Sequence, residues 1–167
     1  MAAGAGDTAL ETAASPSRAG DAADRPPYAK IDLRTRYLRF DIGMLTERLV
    51  GATHWLKRDP NTRNLRVGYF GTSTGAGAAL VAAAARTDFL GAIVSRRGRP
   101  DLAGDALARV RAPTLLIVGE NDAPMIKMNR EAMGQMNVEK KLEIVPGATH
   151  LFEEPGALEE AAQLAAD

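Results

Sequence analysis

The sequence predicts an α/β fold: a mostly parallel sheet with helices on both faces. Short apolar runs at 65–70, 89–95, 114–118 and 141–145 are nearly continuous rather than alternating, as strands covered on both sides are. Helix-like segments separate these runs, and strictly alternating strands and helices build parallel sheets through crossover connections. A Gly-flanked serine, Gly71-Thr72-Ser73-Thr74-Gly75, joins the first run to an Ala-rich helix former ending at Ala85.

Composition narrows the chemistry. The 167 residues suit one domain with a sizeable core. Lys plus Arg and Asp plus Glu are 21 each, so no global field favours nucleic acid or an anionic membrane. With no Cys there are no disulfides, thiolate metal sites or Cys nucleophile, and with two His no dedicated metal centre is expected. No cofactor is expected either, and hydroxyl, imidazole and carboxylate groups remain for the chemistry. Residues 1–20 lack a basic start and a continuous apolar stretch, and no segment approaches the ~18 apolar residues of a membrane span. A soluble cytoplasmic protein is the expectation.

In chain order, residues 1–27 are Ala, Gly, Asp, Ser and Pro with almost no large apolar side chain, and are expected to be disordered. Residues 28–167 are expected to form one domain. Leu38, Ile42, Leu45, Leu49, Ala52 and Leu56 recur at spacings of three and four, predicting an amphipathic helix from Tyr37 to Leu56 that ends before Asp59-Pro60-Asn61. His54 on that helix, beside Trp55, reads as a packed or surface residue. The strand at Leu65 then enters the Ser73 turn. In such an elbow the Ser occupies a strained turn, and small residues are needed two positions to either side, here Gly71 and Gly75. The helix begins directly behind Ser73, so the Thr74 amide is the first candidate oxyanion donor. A turn that merely lets a helix pack closely on a sheet is the competing reading. Phosphate cradling fits less well, since the glycines do not form GxGxxG and no GK[ST] follows.

After the Phe89–Ser95 strand come Arg96, Arg97 and Arg99, at the strand end where open α/β sheets hold their ligands. Arg96 and Arg97 are candidate contacts for an anionic substrate group; solvated loop charge is the alternative. Asp101–Val110 reads as a short helical connection, Thr114–Val118 as a strand running into Gly119-Glu120-Asn121-Asp122, and Met128–Met136 as a helix. Lys141–Val145 reads as the last strand, ending in Pro146-Gly147-Ala148-Thr149-His150, with a closing helix from Glu153 onward. A parallel sheet gathers its carboxyl ends at one edge, so Ser73, Asp122 and His150 are expected to converge there. Ser73 would be the nucleophile, His150 the base and Asp122 the acid that orients it.

The segments VGYFGTSTGAGAALVAAA, APTLLIVGENDAPMIKMN and LEIVPGATHLFEEPGALEE resemble the dienelactone hydrolase-like branch of the α/β-hydrolase superfamily, including hydrolase modules fused to phosphoribosyltransferases. The resemblance runs from about Arg34 to the C-terminus. It implies a truncated α/β-hydrolase-type sheet, with Ser73, Asp122 and His150 as triad and Thr74 in the oxyanion hole. Members of that branch carry several strands before the elbow and a loop that supplies a second oxyanion donor. Residues 1–36 do not resemble that region, so the chain reads as a member whose first third is missing or replaced. Tyr37, Arg36 or the Arg96 region is then the expected source of a substitute donor, with Tyr37 also a candidate substrate contact.

The function so implied is hydrolysis of small, short-chain carboxylic esters through an acyl-enzyme. Only about twenty residues connect the second and third strands, too few for a lipase-type lid. Lactone hydrolysis uses the same addition step and is the second enzymatic expectation. A non-catalytic interaction module with a vestigial hydrolase fold is the rival from another class. Four strands with an uncovered side call for shielding, so a homodimer is expected.

Overall fold

In a computed structural model of the chain, four strands lie side by side in sequence order and all neighbouring pairs run parallel. The structure describes residues 40–85 and 90–167, which fall within one compact unit spanning Arg36–Asp167. The expectations placed on residues 1–27, Arg36 and Tyr37 lie outside the described residues. The elements are α1 (Ile42–Arg58), β1 (Val67–Thr72), α2 (Thr74–Ala85), β2 (Leu90–Arg96), a 3₁₀ segment (Pro100–Arg109), β3 (Thr114–Gly119), α3 (Ala123–Gln135), β4 (Lys140–Val145) and α4 (Ala157–Ala166).

Each face of the sheet has its own core. Tyr69 and Ile93 point to one side, where they meet Ala79, Leu80, Ala82 and Ala83 of α2, Leu107 of the 3₁₀ segment, and Ala132 and Met136 at α3. Leu49 and Val50 of α1 close that layer from outside. Helix α2 is buried almost all round, so its apolar character shows no stripe, and alanines let its backbone approach β1 closely. At the layer's margin the Tyr69 hydroxyl and Thr53 Oγ1 satisfy each other at 2.8 Å, which keeps two buried polar groups paired. On the other face, Ile117, Val145 and Phe152 pack against Ala157 and Ala161 of α4. The expected parallel sheet with helices on both faces is therefore present.

Several boundaries differ from the sequence expectation. The first helix was expected from Tyr37 but starts at Ile42, because the Asp41 carboxylate accepts the Met44 N–H at 2.9 Å and fixes Asp41 as the N-cap. Helix α3 begins at Ala123, not Met128: Pro124 sits in its first turn, where a missing N–H costs nothing. The closing helix begins at Ala157, since Gly156 adopts φ +83° and breaks the backbone before it. The connection after β2 is a 3₁₀ segment kinked at Gly104.

Coverage is uneven. β1 is an edge strand among the described residues, and Phe70 on its α4-facing side is 59% exposed. Leu65, Trp55 and Phe40 are also largely exposed. No helix among the described residues is long and apolar enough to cross a membrane.

Candidate active site

Ser73 is the single residue between β1 and α2, and its φ of +49° places a non-glycine residue in the left-handed region. Such a conformation costs on the order of 1–3 kcal/mol and persists only where the surroundings over-determine it. Here the Ser73 carbonyl accepts two backbone N–H groups, from Ala76 at 3.1 Å and from Arg99 at 3.0 Å. The second comes from the loop after β2, so a neighbouring strand connection pins the elbow from the side.

Gly71 behaves as the pattern requires. A Cβ there would lie 2.6 Å from Ala76 Cα and 2.7 Å from Ala76 N, inside any tolerable contact. Gly75 does not. A Cβ at that position meets nothing within 4 Å among the described residues, so the expectation that both flanking glycines answer to close approach holds for Gly71 alone. The close approach on the helix side falls at Gly77, whose Cβ would sit 2.9 Å from the Arg99 carbonyl oxygen. Thr74, the first residue of α2, is buried; its amide is one of the first-turn donors that have no acceptor within a helix.

Asp122 follows the carboxyl end of β3 and His150 follows that of β4. His150 Nδ1 and Asp122 Oδ2 are 2.5 Å apart, with the carboxylate side chain 11% exposed and the imidazole 45%. Nδ1 is thus engaged and Nε2 is left for a nucleophile or a leaving group. Ser73 stands at the same edge of the sheet, but the hydrogen bonds of the described residues join only Asp122 and His150, not His150 and Ser73.

The loop carrying His150 is fastened below and behind. Phe152, fully buried with φ +59°, plugs into the α4-side core two residues after the imidazole. Glu154 accepts the Thr149 N–H at 3.0 Å, and hydrogen bonds from the Thr149 side chain and backbone hold its carboxyl below the ordinary value. A carboxyl lowered in the folded state contributes stability that is present above its unfolded pKa and is lost as pH falls through the folded one. Acidification should therefore weaken the tie between Glu154 and Thr149.

Of the basic cluster, Arg99 is committed elsewhere: its Nε and Nη2 bond the two Asp101 oxygens at 2.8 and 2.7 Å. Arg96 lies over the Phe152 ring, 5.5 Å from its centre, and burial together with neighbouring Arg97 pushes its pKa down. Arg96 Nη1 and Arg97 Nε are buried without a partner among the described residues. His54 lies on α1, remote in sequence from the paired His150. Among the described residues no group of three or more His, Cys, Asp or Glu is placed to hold a metal ion. Sequence reasoning missed Glu120 and Asn121, whose side chains bond the His150 loop across 26 and 27 positions. No local pattern reports a contact of that separation.

A parallel sheet wrapped on both faces, with a strained serine turn and an Asp–His pair at its carboxyl edge, is the α/β-hydrolase architecture. The family's sequence profile matches residues 28–167, and the chain belongs to the dienelactone hydrolase family. A solved dienelactone hydrolase from Anabaena variabilis is similar at 62% identity and a TM-score of 0.80, over 83% of this chain and 64% of that one. A dienelactone hydrolase-like promiscuous phosphotriesterase from metagenomic libraries shares the fold at 19% identity and a TM-score of 0.62, over 82% of this chain and 65% of that one. A Mycobacterium tuberculosis protein bearing a phosphoribosyl transferase name is 56% identical over 134 residues, which are 80% of this chain and 30% of that protein. The chain thus spans about a third of the length of that curated relative.

Proposed function

We propose that this chain is a serine hydrolase that cleaves small, short-chain carboxylic esters through an acyl-enzyme. The observation that supports it most is the Asp122–His150 pair on the same sheet edge as a serine held at φ +49°. In this reading His150 Nε2 takes the Ser73 hydroxyl proton as Oγ attacks the ester carbonyl. The Thr74 amide and the positive end of α2 stabilise the resulting oxyanion. Collapse expels the alcohol, which receives the proton from His150, and water then repeats the sequence to release the acid. Asp122 holds the imidazole with Nδ1 protonated and balances its charge. The connection between β2 and β3 is one 3₁₀ segment, which offers no deep acyl tunnel and favours short acyl groups. The family match favours lactone ring opening as a second reading, since addition to a cyclic ester needs the same groups.

Release of p-nitrophenol from the acetate and butyrate esters tests the proposal. Saturable turnover well above the uncatalysed rate, with an acetyl group trapped on Ser73 by mass spectrometry, is the expected result. Background rates alone would overturn the reading and leave a non-catalytic module.

Two further expectations belong to it. The nitrogens of Arg96 and Arg97 that are buried without a partner among the described residues favour an anionic substrate group, so Arg96→Ala or Arg97→Ala should raise KM for carboxylate-bearing esters and spare neutral ones. Equal effects on both substrate types would return these residues to the scaffold. The open β1 edge and exposed Phe70 favour self-association into a homodimer beside the elbow strand and α1. Sedimentation at micromolar concentration should find dimers in the wild type and fewer in Phe70→Glu. A monomer that binds no hydrophobic dye would defeat this assembly.

A further inference from the structure

The carboxyl end of β3 and the loop after β4 are joined by more than the Asp122–His150 contact. Glu120 N–H donates to the Val145 carbonyl at 3.0 Å, continuing the β3–β4 ladder one residue past the end of β3. Asn121 N–H then donates to the Ala148 carbonyl at 2.9 Å. The two side chains complete the seam around Gly147, which has φ +69°. Glu120 Oε2 accepts the Gly147 N–H at 2.8 Å, and Asn121 Nδ2 donates to the Gly147 carbonyl at 2.8 Å. Both polar groups of a single left-handed residue are thereby taken by two consecutive side chains of the neighbouring loop. Gly119 allows this closeness: a Cβ on it would collide with the carbonyl oxygens of Ala148 and Thr149.

From this seam we infer that Glu120 and Asn121 are positioning residues for His150, acting through Gly147 on the distance and angle between its Nδ1 and the Asp122 carboxylate. The inference rests on the serine hydrolase reading for its kinetic consequence, but not for its structural one. Both side chains are exposed, so the hydrogen bonds they make contribute only modestly to net stability. Their leverage lies in alignment. The imidazole stands three residues beyond Gly147 on a loop otherwise held by the Asn121 N–H to the Ala148 carbonyl, the Glu154 acceptor and the Phe152 plug. Freed at Gly147, that loop keeps only its main-chain tie at Ala148 on the approach to His150 and loses the side-chain restraint on how far the ring leans toward β3. The two residues have separable chemical requirements. Position 120 needs only an acceptor for an N–H, which an amide oxygen supplies as a carboxylate does. Position 121 needs a donor for a carbonyl, which Asp is unable to supply although it has the shape of Asn.

The experiment compares Glu120→Gln, Glu120→Ala, Asn121→Asp and Asn121→Ala in the whole chain, reading kinetics and His150 tautomer populations together. Long-range ¹H–¹⁵N correlation at alkaline pH reports which ring nitrogen carries the proton, with the His150→Ala spectrum separating His150 from His54. Glu120→Gln should resemble the wild type, with an Nδ1–H imidazole. Asn121→Asp, Asn121→Ala and Glu120→Ala should lower kcat by about 10- to 100-fold, the scale of an ångström of misplacement, with KM within about twofold. In the same three variants the imidazole should shift toward a mixture with the Nε2–H form. A purely structural role would lower the melting temperature and leave the tautomer of the folded fraction unchanged. Wild-type tautomer populations and wild-type kcat in folded Asn121→Asp and Asn121→Ala would overturn the inference. Should the wild type itself lack turnover, the hydrolase reading fails, and the tautomer shift alone then decides the positioning claim.

Discussion

Ser73→Ala and His150→Ala are each expected to lower ester turnover by on the order of 10⁴-fold or more, since nucleophile and base act as one unit. Neither change should disturb the fold. Ser73 is half-buried and its pinning bonds run through its backbone carbonyl, which alanine keeps. His150 is exposed, and the loop around it has independent anchors. Asp122→Asn should be milder than either, because losing the orienting acid costs less than losing the nucleophile or the base. Circular dichroism and denaturation midpoints establish the folded state, and turnover of p-nitrophenyl acetate gives the loss. A folded Ser73→Ala protein with wild-type turnover would remove Ser73 from the mechanism.

Gly71→Ala is expected to distort the elbow itself through a single methyl group. The atoms that its Cβ would strike are Ala76 Cα at 2.6 Å, Ala76 N at 2.7 Å and the Gly75 carbonyl oxygen at 2.8 Å. All three are backbone, so no rotamer change relieves the clash. Overpacking of this kind costs about 1–3 kcal/mol, and relief here means moving the first turn of α2 with Ser73 and Thr74 on it. Denaturant unfolding should show the lost stability, and turnover should fall further than the folded fraction explains. Gly75→Ala is the contrast: with space around it inside α2, alanine should be neutral or add about 0.5–1 kcal/mol through helix propensity. Equal behaviour of the two variants would contradict the geometry of the elbow.

That contrast shows where sequence reasoning succeeds and where it stops. Two glycines around a serine look alike as letters. Which one touches backbone depends on how steeply α2 leaves β1, and this is set by tertiary packing under Arg99 and Leu102. The elbow itself was legible because strand, turn and helix are adjacent and each has a strong local signature. Asp122 and His150 were legible because parallel strands deliver their ends to one edge, a topological rule that needs no side-chain detail. Asp41 and Pro124 are helix-start signals that hydrophobic periodicity alone does not report. The Glu120 and Asn121 bonds to Gly147 were beyond reach, since no local pattern links residues so far apart.

The strand order gives the site a built-in sensitivity. Ser73 and His150 follow β1 and β4, the two outer strands among the described residues, whereas Asp122 follows β3, next to the His150 side. Three inter-strand steps span about 14 Å, well beyond a hydrogen bond, so the His150 loop must bend back across the end of β3 to face Ser73. The crowding of Ala148 and Thr149 over Gly119 marks that bend. Adjacent strands rotate by about 20–25° per step, and over three steps such increments add up. A small change in sheet coiling therefore barely alters the Asp122–His150 contact but swings Ser73 relative to both. The sheet acts as a torsion bar, with Ser73 at one end, the Asp122–His150 contact at the other, and the gap between them open to its twist. Anything that stiffens the free edge of β1 shortens the excursions of that gap.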